Sequence, residues 1–374
     1  MAGNPANAVP RDENVAVTRR TEVLAIDPHH PEPDTIEHAA AVLRRGGLVA
    51  FPTETVYGLG ADATSSAAVT SVFEAKGRPA TDPLIVHLPA APAGTPTGGP
   101  IGEQSGPMLE QVVRAWPAAA QRLALHFWPG PLTVIVPRAD GVAPEVGAGL
   151  DTVAVRVPAH AAARALIAAA GRPVAAPSAN RFGRVSPTTA AHVLEELDGR
   201  IDLVLDGGPT ALGVESSVVD LVGPVPALLR PGGVTLEDLV EVLGEVRHEP
   251  RRVVDDTEAA AGPGQLLRHY SPSTPVVLVD GDAEVVDELL AGLAAAEIAA
   301  ARIELSEAPD VAARALYAAL RDGDTLGVQV LLAPVLAPDG LGRAVNDRLF
   351  RAAHGRVVDD AGVDTVARLA ALTA

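Results

Sequence analysis

A single lysine is the first candidate for chemistry in this chain. The sequence contains 29 lysines and arginines, and all of them except Lys76 are arginine. Lysine carries a compact ammonium that suits one phosphate or carboxylate oxygen in a tight site, whereas arginine presents a planar fork. Gly77 and Arg78 follow directly, so two cations lie close together. The stretch is either an anion-binding site or the basic end of a helix, where the helix dipole favours cations.

A second candidate cation lies in a segment that alternates like a β-strand. Residues 152–157 read Thr-Val-Ala-Val-Arg-Val. Successive side chains of a strand point to opposite faces, so Thr152, Ala154 and Arg156 share one face and the three valines share the other. The valine face is typical of a core. Arg156 is therefore a candidate ligand clamp, and an edge strand that faces water is the alternative.

Small polar residues follow two predicted strands. Thr55 comes shortly after a buried strand predicted at residues 48–51, and Ser178 and Asn180 follow a short strand predicted at residues 173–176. Loops at the carboxyl ends of strands form the ligand sites of open α/β sheets. These loops are candidates for a shared site. A Ser-x-Asn turn that only bonds its own backbone is the alternative.

Composition excludes several classes of function. The formal net charge of −18 argues against a broad nucleic-acid surface, which needs clustered cations. The chain has no cysteine, which excludes disulfides, thiolate catalysis and cysteine-based zinc sites. Its ten histidines show no metal-ligand spacing. We find neither an apolar signal segment nor a run of roughly 20 apolar residues, so we expect a cytoplasmic protein without a membrane span.

Glycines and composition shifts divide the chain into elements. Gly77 is suited to end a helix that Thr64 or Ser65 can cap. A second α/β unit is predicted from a strand at residues 274–279 and another at residues 325–332. The length of 374 residues predicts two domains at roughly 150 residues each. We predict a disordered leader at residues 1–20, a first domain at 21–248, a linker at 249–273 and a C-terminal domain at 274–374.

The order of these motifs resembles that of the YrdC-type L-threonylcarbamoyladenylate synthases. The resemblance rests on Lys-Gly-Arg and Ser-Ala-Asn in combination with the motifs at residues 47–60, 128–133 and 229–232, and it covers roughly residues 20–245. Residues 262–272 are similar to the linker of the longer, two-domain members. The resemblance implies an α/β fold with a YrdC-like twisted open mixed sheet flanked by helices, a linker that covers the nucleotide site, and a smaller Rossmann-like C-terminal domain.

The resemblance also implies an activity. Members of this family are nucleotidyltransferases that make L-threonylcarbamoyl-AMP and pyrophosphate from L-threonine, bicarbonate and ATP. This product is the precursor of N6-threonylcarbamoyladenosine at tRNA position 37, so a tRNA threonylcarbamoyl transferase machinery is the expected downstream partner. Such a step depends on positioning and charge neutralisation. Mg²⁺ is expected to arrive with ATP, with no dedicated protein-only metal site.

Matching the family's motifs to this chain position by position implies three groups of site residues. The catalytic group is Lys76, Arg78, Ser178 and Asn180. The L-threonine-binding group is Thr55, His87, Arg156, Ala176 and Ser216. The ATP-binding group is Arg78, Asp82, Thr152, Ser178, Ser186, Arg230 and Tyr270.

Two positions depart from the family's pattern. Asp82 stands where many relatives have asparagine, and a carboxylate beside a triphosphate would repel it unless the carboxylate binds magnesium or turns to an amine or hydroxyl. The linker also lacks a lysine that relatives often carry, and Arg268 is a candidate substitute because it lies near Tyr270.

Two other functional classes compete with the synthase. A YrdC-like RNA-binding module without synthase activity is the first alternative, and the strong negative charge counts against it. A hydrogenase-maturing carbamoyltransferase is the second. Such proteins need cysteine-rich zinc modules, which a chain without cysteine cannot supply.

Overall fold

A computed structural model describes residues 20–90, 106–250, 259–267 and 269–372. The leader predicted at residues 1–20 lies outside these ranges except for its last residue, and Arg268 also lies outside them. We call residues 20–248 the main body, residues 259–273 the linker and residues 274–372 the C-terminal unit.

The described residues contain fifteen strands and eleven α-helices. The strands are Glu22–Ala25 (β1), Val49–Phe51 (β2), Gly58–Asp62 (β3), Ile85–His87 (β4), Leu132–Pro137 (β5), Thr152–Arg156 (β6), Val174–Ala175 (β7), Leu203–Asp206 (β8), Ser217–Asp220 (β9), Ala227–Arg230 (β10), Arg247–His248 (β11), Val276–Val279 (β12), Ala300–Arg302 (β13), Val330–Pro334 (β14) and Val357–Val358 (β15). The helices are Pro33–Arg44 (α1), Ser66–Lys76 (α2), Gly106–Val112 (α3), Ala118–Phe127 (α4), Ala161–Ala170 (α5), Ala190–Leu197 (α6), Leu236–Leu243 (α7), Ala283–Ala295 (α8), Pro309–Thr325 (α9), Gly340–Ala352 (α10) and Val363–Ala370 (α11).

The main body is built on one large mixed sheet. Its eleven strands run in the order β1-β8-β2-β3-β7-β4-β6-β5-β9-β10-β11. The centre combines parallel pairing of β4 with β6 and antiparallel pairing of β7 with β4 and β5 with β6. Because neighbouring strands run both parallel and antiparallel here, segments that enter and leave several strands lie at the same edge of the sheet. Several of the candidate residues lie at this edge.

The alternation predicted for residues 152–157 is present in β6. Val153, Val155 and Val157 belong to the largest buried cluster, whereas Ala154 packs on the opposite side with Ile85 and neighbouring aliphatic side chains. Arg156 lies at the end of the same strand and is buried. The predicted edge-strand alternative is wrong for this segment, because β6 is paired on both sides by β4 and β5.

The predicted helix before Lys76 is also present. Ser65 caps α2 by accepting a hydrogen bond from the backbone N–H of Ala68, and Gly77 ends it in the left-handed conformation with φ of 65°. Lys76 is the last helical residue and Arg78 follows the cap. The two cations therefore leave the helix in a fixed turn.

The C-terminal unit has a parallel sheet with helices on both faces. Its four strands run in the order β13-β14-β12-β15, and every adjacent pair is parallel. Side chains of α8 and α11 cover one face, and those of α9 and α10 cover the other. The strand predicted at residues 325–332 starts too early, because α9 continues to Thr325 and β14 begins at Val330.

The main body and the C-terminal unit share a buried apolar cluster. Val56, Val185 and Val214 of the main body pack in one cluster with Tyr270 of the linker and with the inner side chains of α9 and α10. The backbones also approach closely: a Cβ added to Gly213 would lie 2.4 Å from the carbonyl oxygen of Ala313 in α9. The C-terminal unit is therefore docked on the main body through packed side chains.

Candidate functional site

A cavity lies between strand ends of the main body and the linker. Strands β2, β4, β6 and β10 lead into its wall, and the linker closes one side. Its polar lining combines several cations with hydroxyl groups, which suits an anionic ligand. Nine of the residues predicted from the sequence line it, namely Thr55, Arg78, His87, Arg156, Ala176, Ser178, Ser216, Arg230 and Tyr270.

Arg156 is held in place by groups on both sides of its guanidinium. Its Nη2 donates to Oγ1 of Thr55 over 3.0 Å and pairs with Oε1 of Glu54 at 2.8 Å, while its Nε donates to the carbonyl of Gly130. A buried and fixed guanidinium loses little rotamer freedom when it binds a carboxylate. The predicted clamp is therefore preorganised on the cavity wall.

His87 lies beside Arg156 and is buried. Its Nδ1 is 3.1 Å from the carbonyl oxygen of Ile85. Burial, and then the positive charge of Arg156, lower the pKa of His87 to about 3. The imidazole is therefore neutral at physiological pH and contributes hydrogen bonding and shape to the cavity, but no charge.

Ser216 and Arg230 form another part of the wall. Arg230 donates through Nη2 and Nε to the carbonyl of Ser216, and Nη2 also lies 3.1 Å from Oγ of Ser216. The same hydroxyl lies 2.8 Å from Oγ1 of Thr133. Gly232 makes this arrangement possible, because a Cβ there would lie within 2.4 Å of the backbone at Ser216 and Ser217.

The departure at Asp82 has a structural explanation. The carboxylate is fully buried and pairs with Arg78 over 2.9 Å, and Arg78 also donates to the carbonyls of Asp82 and Pro83. Burial raises the pKa of Asp82, although Arg78 opposes that shift. Asp82 thus turns to a cation of its own loop and does not line the cavity.

Lys76 is buried behind the cavity wall. Its Nζ donates to the carbonyls of Ser178, over 2.6 Å, and Asn180. Burial, and then the neighbouring charge of Arg78, lower the pKa of Lys76 well below its usual range. In this arrangement the ammonium fixes the turn that carries Ser178. The predicted contact of Lys76 with phosphate or carbamate oxygens stays a prediction.

The side chain of Asn180 hydrogen-bonds the backbone of the turn that contains it. Its Nδ2 donates to the carbonyls of Arg181 and Arg184, and its Oδ1 is buried without a hydrogen-bond partner among the described residues.

Ser186 and Thr152 also lie away from the cavity lining. Ser186 donates to Glu215, and Thr152 lies about 13 Å along β6 from Arg156 at the usual strand rise. Among the described residues, the predicted site residues that do not line the cavity are Lys76, Asp82, Thr152, Asn180 and Ser186.

The linker forms the lid of the cavity. Its residues Pro263, Gly264, His269 and Tyr270 line the enclosed space. Tyr270 is fully buried, adopts a positive φ of 61°, and has no hydrogen-bond partner for its hydroxyl among the described residues. A Cβ on Gly264 would come within 3.0 Å of that hydroxyl. The linker backbone is therefore shaped to bring Tyr270 to the cavity.

Sequence reasoning missed a buried ionic network behind the wall. Glu215 lines the cavity and accepts hydrogen bonds from Ser186 and from Tyr317 of α9, each over 2.7 Å. Arg348 of α10 pairs with the same carboxylate at 2.8 Å. The signal in the sequence was the position of Glu215 directly before Ser216.

The described residues offer no ready-made metal site. They contain no cluster of three or more histidine, aspartate or glutamate side chains that could hold a metal ion. Three carboxylates that pair with arginines in this region, Glu54, Asp82 and Glu215, are committed to Arg156, Arg78 and Arg348. None of the described helices is long and apolar enough to cross a membrane.

Known proteins match almost the whole of this architecture. The profile of the Sua5/YciO/YrdC family, described as "Telomere recombination", matches residues 41–232, and the profile described as "Threonylcarbamoyl-AMP synthase, C-terminal domain" matches residues 234–354. A protein from Pyrococcus abyssi named threonylcarbamoyl-AMP synthase is 43% identical over 338 residues, which cover 86% of this chain and 95% of that protein. A protein of the same name from Bacillus subtilis is 40% identical over 360 residues, which cover 91% and 99% of the two chains.

A solved structure extends the match to three dimensions. The crystal structure of P. abyssi Sua5 complexed with L-threonine has a TM-score of 0.83 to this chain at 41% identity, and it covers 91% of this chain and 99% of that one. The expected fold, a YrdC-like mixed sheet with a Rossmann-like second unit, is confirmed. The chain belongs to the Sua5/YrdC family, in its two-domain form with a threonylcarbamoyl-AMP synthase C-terminal domain.

Proposed function

We propose that this chain is an L-threonylcarbamoyl-AMP synthase. The observation that carries the proposal is a cavity that presents two arginine groups. Arg156, with Thr55 and His87 beside it, suits the carboxylate and polar groups of an amino acid. Arg78 and Arg230 suit the phosphates of ATP. Relatives at 40–43% identity carry this enzyme's name, and one similar structure holds L-threonine.

The proposed reaction joins two anions. The amine of L-threonine captures bicarbonate and forms a carbamate with loss of water. A carbamate oxygen then attacks the α-phosphorus of ATP, the bond to the β-phosphate oxygen breaks, and pyrophosphate leaves. The residues of the cavity bind and orient these groups and offset their charge, and no covalent nucleophile is required. This chemistry makes the chain a nucleotidyltransferase.

Mg²⁺ fits this proposal as a companion of the nucleotide. Glu215, which lines the cavity, and Asp82, which does not, are both paired with arginines, so the metal would be held chiefly by the triphosphate. When bound, it would offset charge on the phosphates. The product would be consumed by a transferase that moves the threonylcarbamoyl group to adenosine 37 of tRNA.

A pyrophosphate-release assay tests the proposal. Purified full-length chain is incubated with ATP, bicarbonate and Mg²⁺, with and without L-threonine. We expect pyrophosphate release that depends on threonine and a product with the mass of L-threonylcarbamoyl-AMP. Pyrophosphate release that is the same with and without L-threonine would contradict the proposed synthase activity. The RNA-binding alternative requires tRNA binding without this activity, so the same preparation distinguishes the two.

A further inference from the structure

The C-terminal unit contributes a buried charge to the back of the cavity. Arg348 of α10 is fully buried, and its Nε pairs with Oε2 of Glu215 at 2.8 Å. Its Nη2 donates to the carbonyl of Pro231, and its guanidinium lies 5.1 Å from the ring centroid of Tyr270. Arg348 therefore contacts Glu215, Pro231 and Tyr270 of the linker, and the first two of these are the sequence neighbours of Ser216 and Arg230.

Glu215 is a carboxylate in the cavity wall, and the other charged side chains that line the cavity are arginines. Burial by itself would raise its pKa, but the charges of Arg348 and then Arg230, together with the hydrogen bonds from Ser186 and Tyr317, outweigh burial, and the pKa of Glu215 lies below its ordinary value. The carboxylate is thus ionised at physiological pH. An ionised carboxylate in the wall competes with an anionic substrate for the cations of the cavity.

We propose that Arg348 is a positioning residue, which neutralises Glu215 and thereby keeps Arg230 available for the phosphates of the nucleotide. Arg230 is the second cation whose charge acts on Glu215, and it already hydrogen-bonds the adjacent Ser216 and lines the same cavity. Capture of Arg230 by Glu215 would remove one of the two phosphate-binding cations. The proposal rests on the proposed function.

The proposal gives the C-terminal unit a definite role in the reaction. Arg348 is also fixed by Asp347, which pairs with it at 2.7 Å and with Arg351 at 3.2 Å. Arg351 in turn donates to the linker carbonyls of Gln265 and Leu266. When α10 is docked, Arg348 offsets the charge of Glu215 in the cavity wall. Arg351, one turn further along the same helix, holds the linker.

The test compares Arg348→Gln, Glu215→Gln/Arg348→Gln and Arg343→Gln by steady-state kinetics on the full chain. Arg343 is the matched control, because it also joins α10 to the main body, through Glu237, but at the surface. We expect Arg348→Gln to raise the KM for ATP roughly tenfold or more with a smaller change in kcat, the size expected when a buried charge loses its partner. The double variant should return the KM for ATP to within about threefold of wild type, since it removes the competing carboxylate.

Each outcome is decisive. A reduced amount of active Arg348→Gln protein with an unchanged KM for ATP would indicate a merely structural role and overturn the proposal. A double variant with a KM as poor as that of Arg348→Gln would overturn it as well. If Arg348→Gln does not fold, the double variant alone decides by its KM. Loss of threonine-dependent activity in the wild type would instead refute the proposed function, so the two failures are distinguishable.

Discussion

Lys76 shows how one residue type can matter for its size as well as its charge. The ammonium is enclosed by two backbone carbonyls of the turn that carries Ser178, and the side chain is only 3% exposed. A guanidinium carries the same charge on a wider group. The pocket for this side chain is therefore suited to lysine and not to arginine.

We predict that Lys76→Arg loses most of the synthase activity and about 1–3 kcal/mol of stability, the usual effect of forcing extra atoms into a packed site. Pyrophosphate release and urea unfolding measure the two effects. Arg45→Lys at the exposed end of α1 is the matched control and should behave as wild type. A nearly silent Lys76→Arg would show that the site does not discriminate between the two cations.

His87 predicts a dependence of stability on pH. Its pKa of about 3 in the native state lies below the usual value near 6.5 of an unfolded chain, so the unfolded state binds the proton first. The free energy of unfolding should therefore fall as the pH drops below about 6.5, by up to roughly 1.4 kcal/mol per pH unit for this one group. His269 is buried with a lowered pKa and acts in the same direction.

Urea unfolding between pH 7 and pH 5 checks this prediction. His87→Gln should show a shallower loss of stability on acidification than wild type. His126→Gln, at an exposed position of α4, is the matched control and should keep the wild-type slope. Equal slopes for His87→Gln and wild type would contradict the buried, neutral histidine.

The contact between the main body and α9 depends on a glycine. Gly213 has φ of 78°, and an added Cβ would lie 2.4 Å from the carbonyl oxygen of Ala313 and 2.7 Å from the Cα of Arg314. The obstacle is helix backbone, which cannot move without the whole element. Small side chains at this point therefore decide how closely the C-terminal unit can dock.

We predict that Gly213→Ala weakens docking and destabilises the chain by more than Gly46→Ala does. Gly46 also has a positive φ, of 85°, but a Cβ there meets nothing within 4 Å, so it isolates the cost of the backbone conformation. Thermal unfolding compares the two variants, and limited proteolysis of the linker reports docking. Equal effects of the two substitutions would show that the close approach to α9 is unimportant.

The molecule as a whole combines a strong negative charge with a locally cationic cavity. The formal charge is −18, yet Arg78, Arg156 and Arg230 converge on one enclosed space. Anionic small molecules can be held there by short contacts. A polyanion would need an extended basic face to gain affinity through counterion release.

We therefore predict that the chain alone does not bind tRNA at physiological ionic strength. The electrophoretic mobility of labelled tRNA at about 0.15 M salt measures this binding. At this salt concentration, exposed charges more than about 8 Å apart are largely screened from each other. The expected result is an unchanged mobility at micromolar protein. A shift that disappears at higher salt would revive the RNA-binding alternative.

The sequence by itself determined those features that depend on neighbours in the chain. Period-two alternation placed Arg156 opposite a valine core, and Gly77 marked the end of α2, because strand faces and helix caps are set by local geometry. The family's motif order then predicted nine residues that line the cavity. Only the tertiary structure could show that Lys76 donates to carbonyls more than a hundred residues away, and that Arg348 neutralises Glu215 from 133 residues further along the chain. Such pairs carry no local signal, since they exist only after packing of the C-terminal unit has excluded water from both charges and left each with the other as its partner.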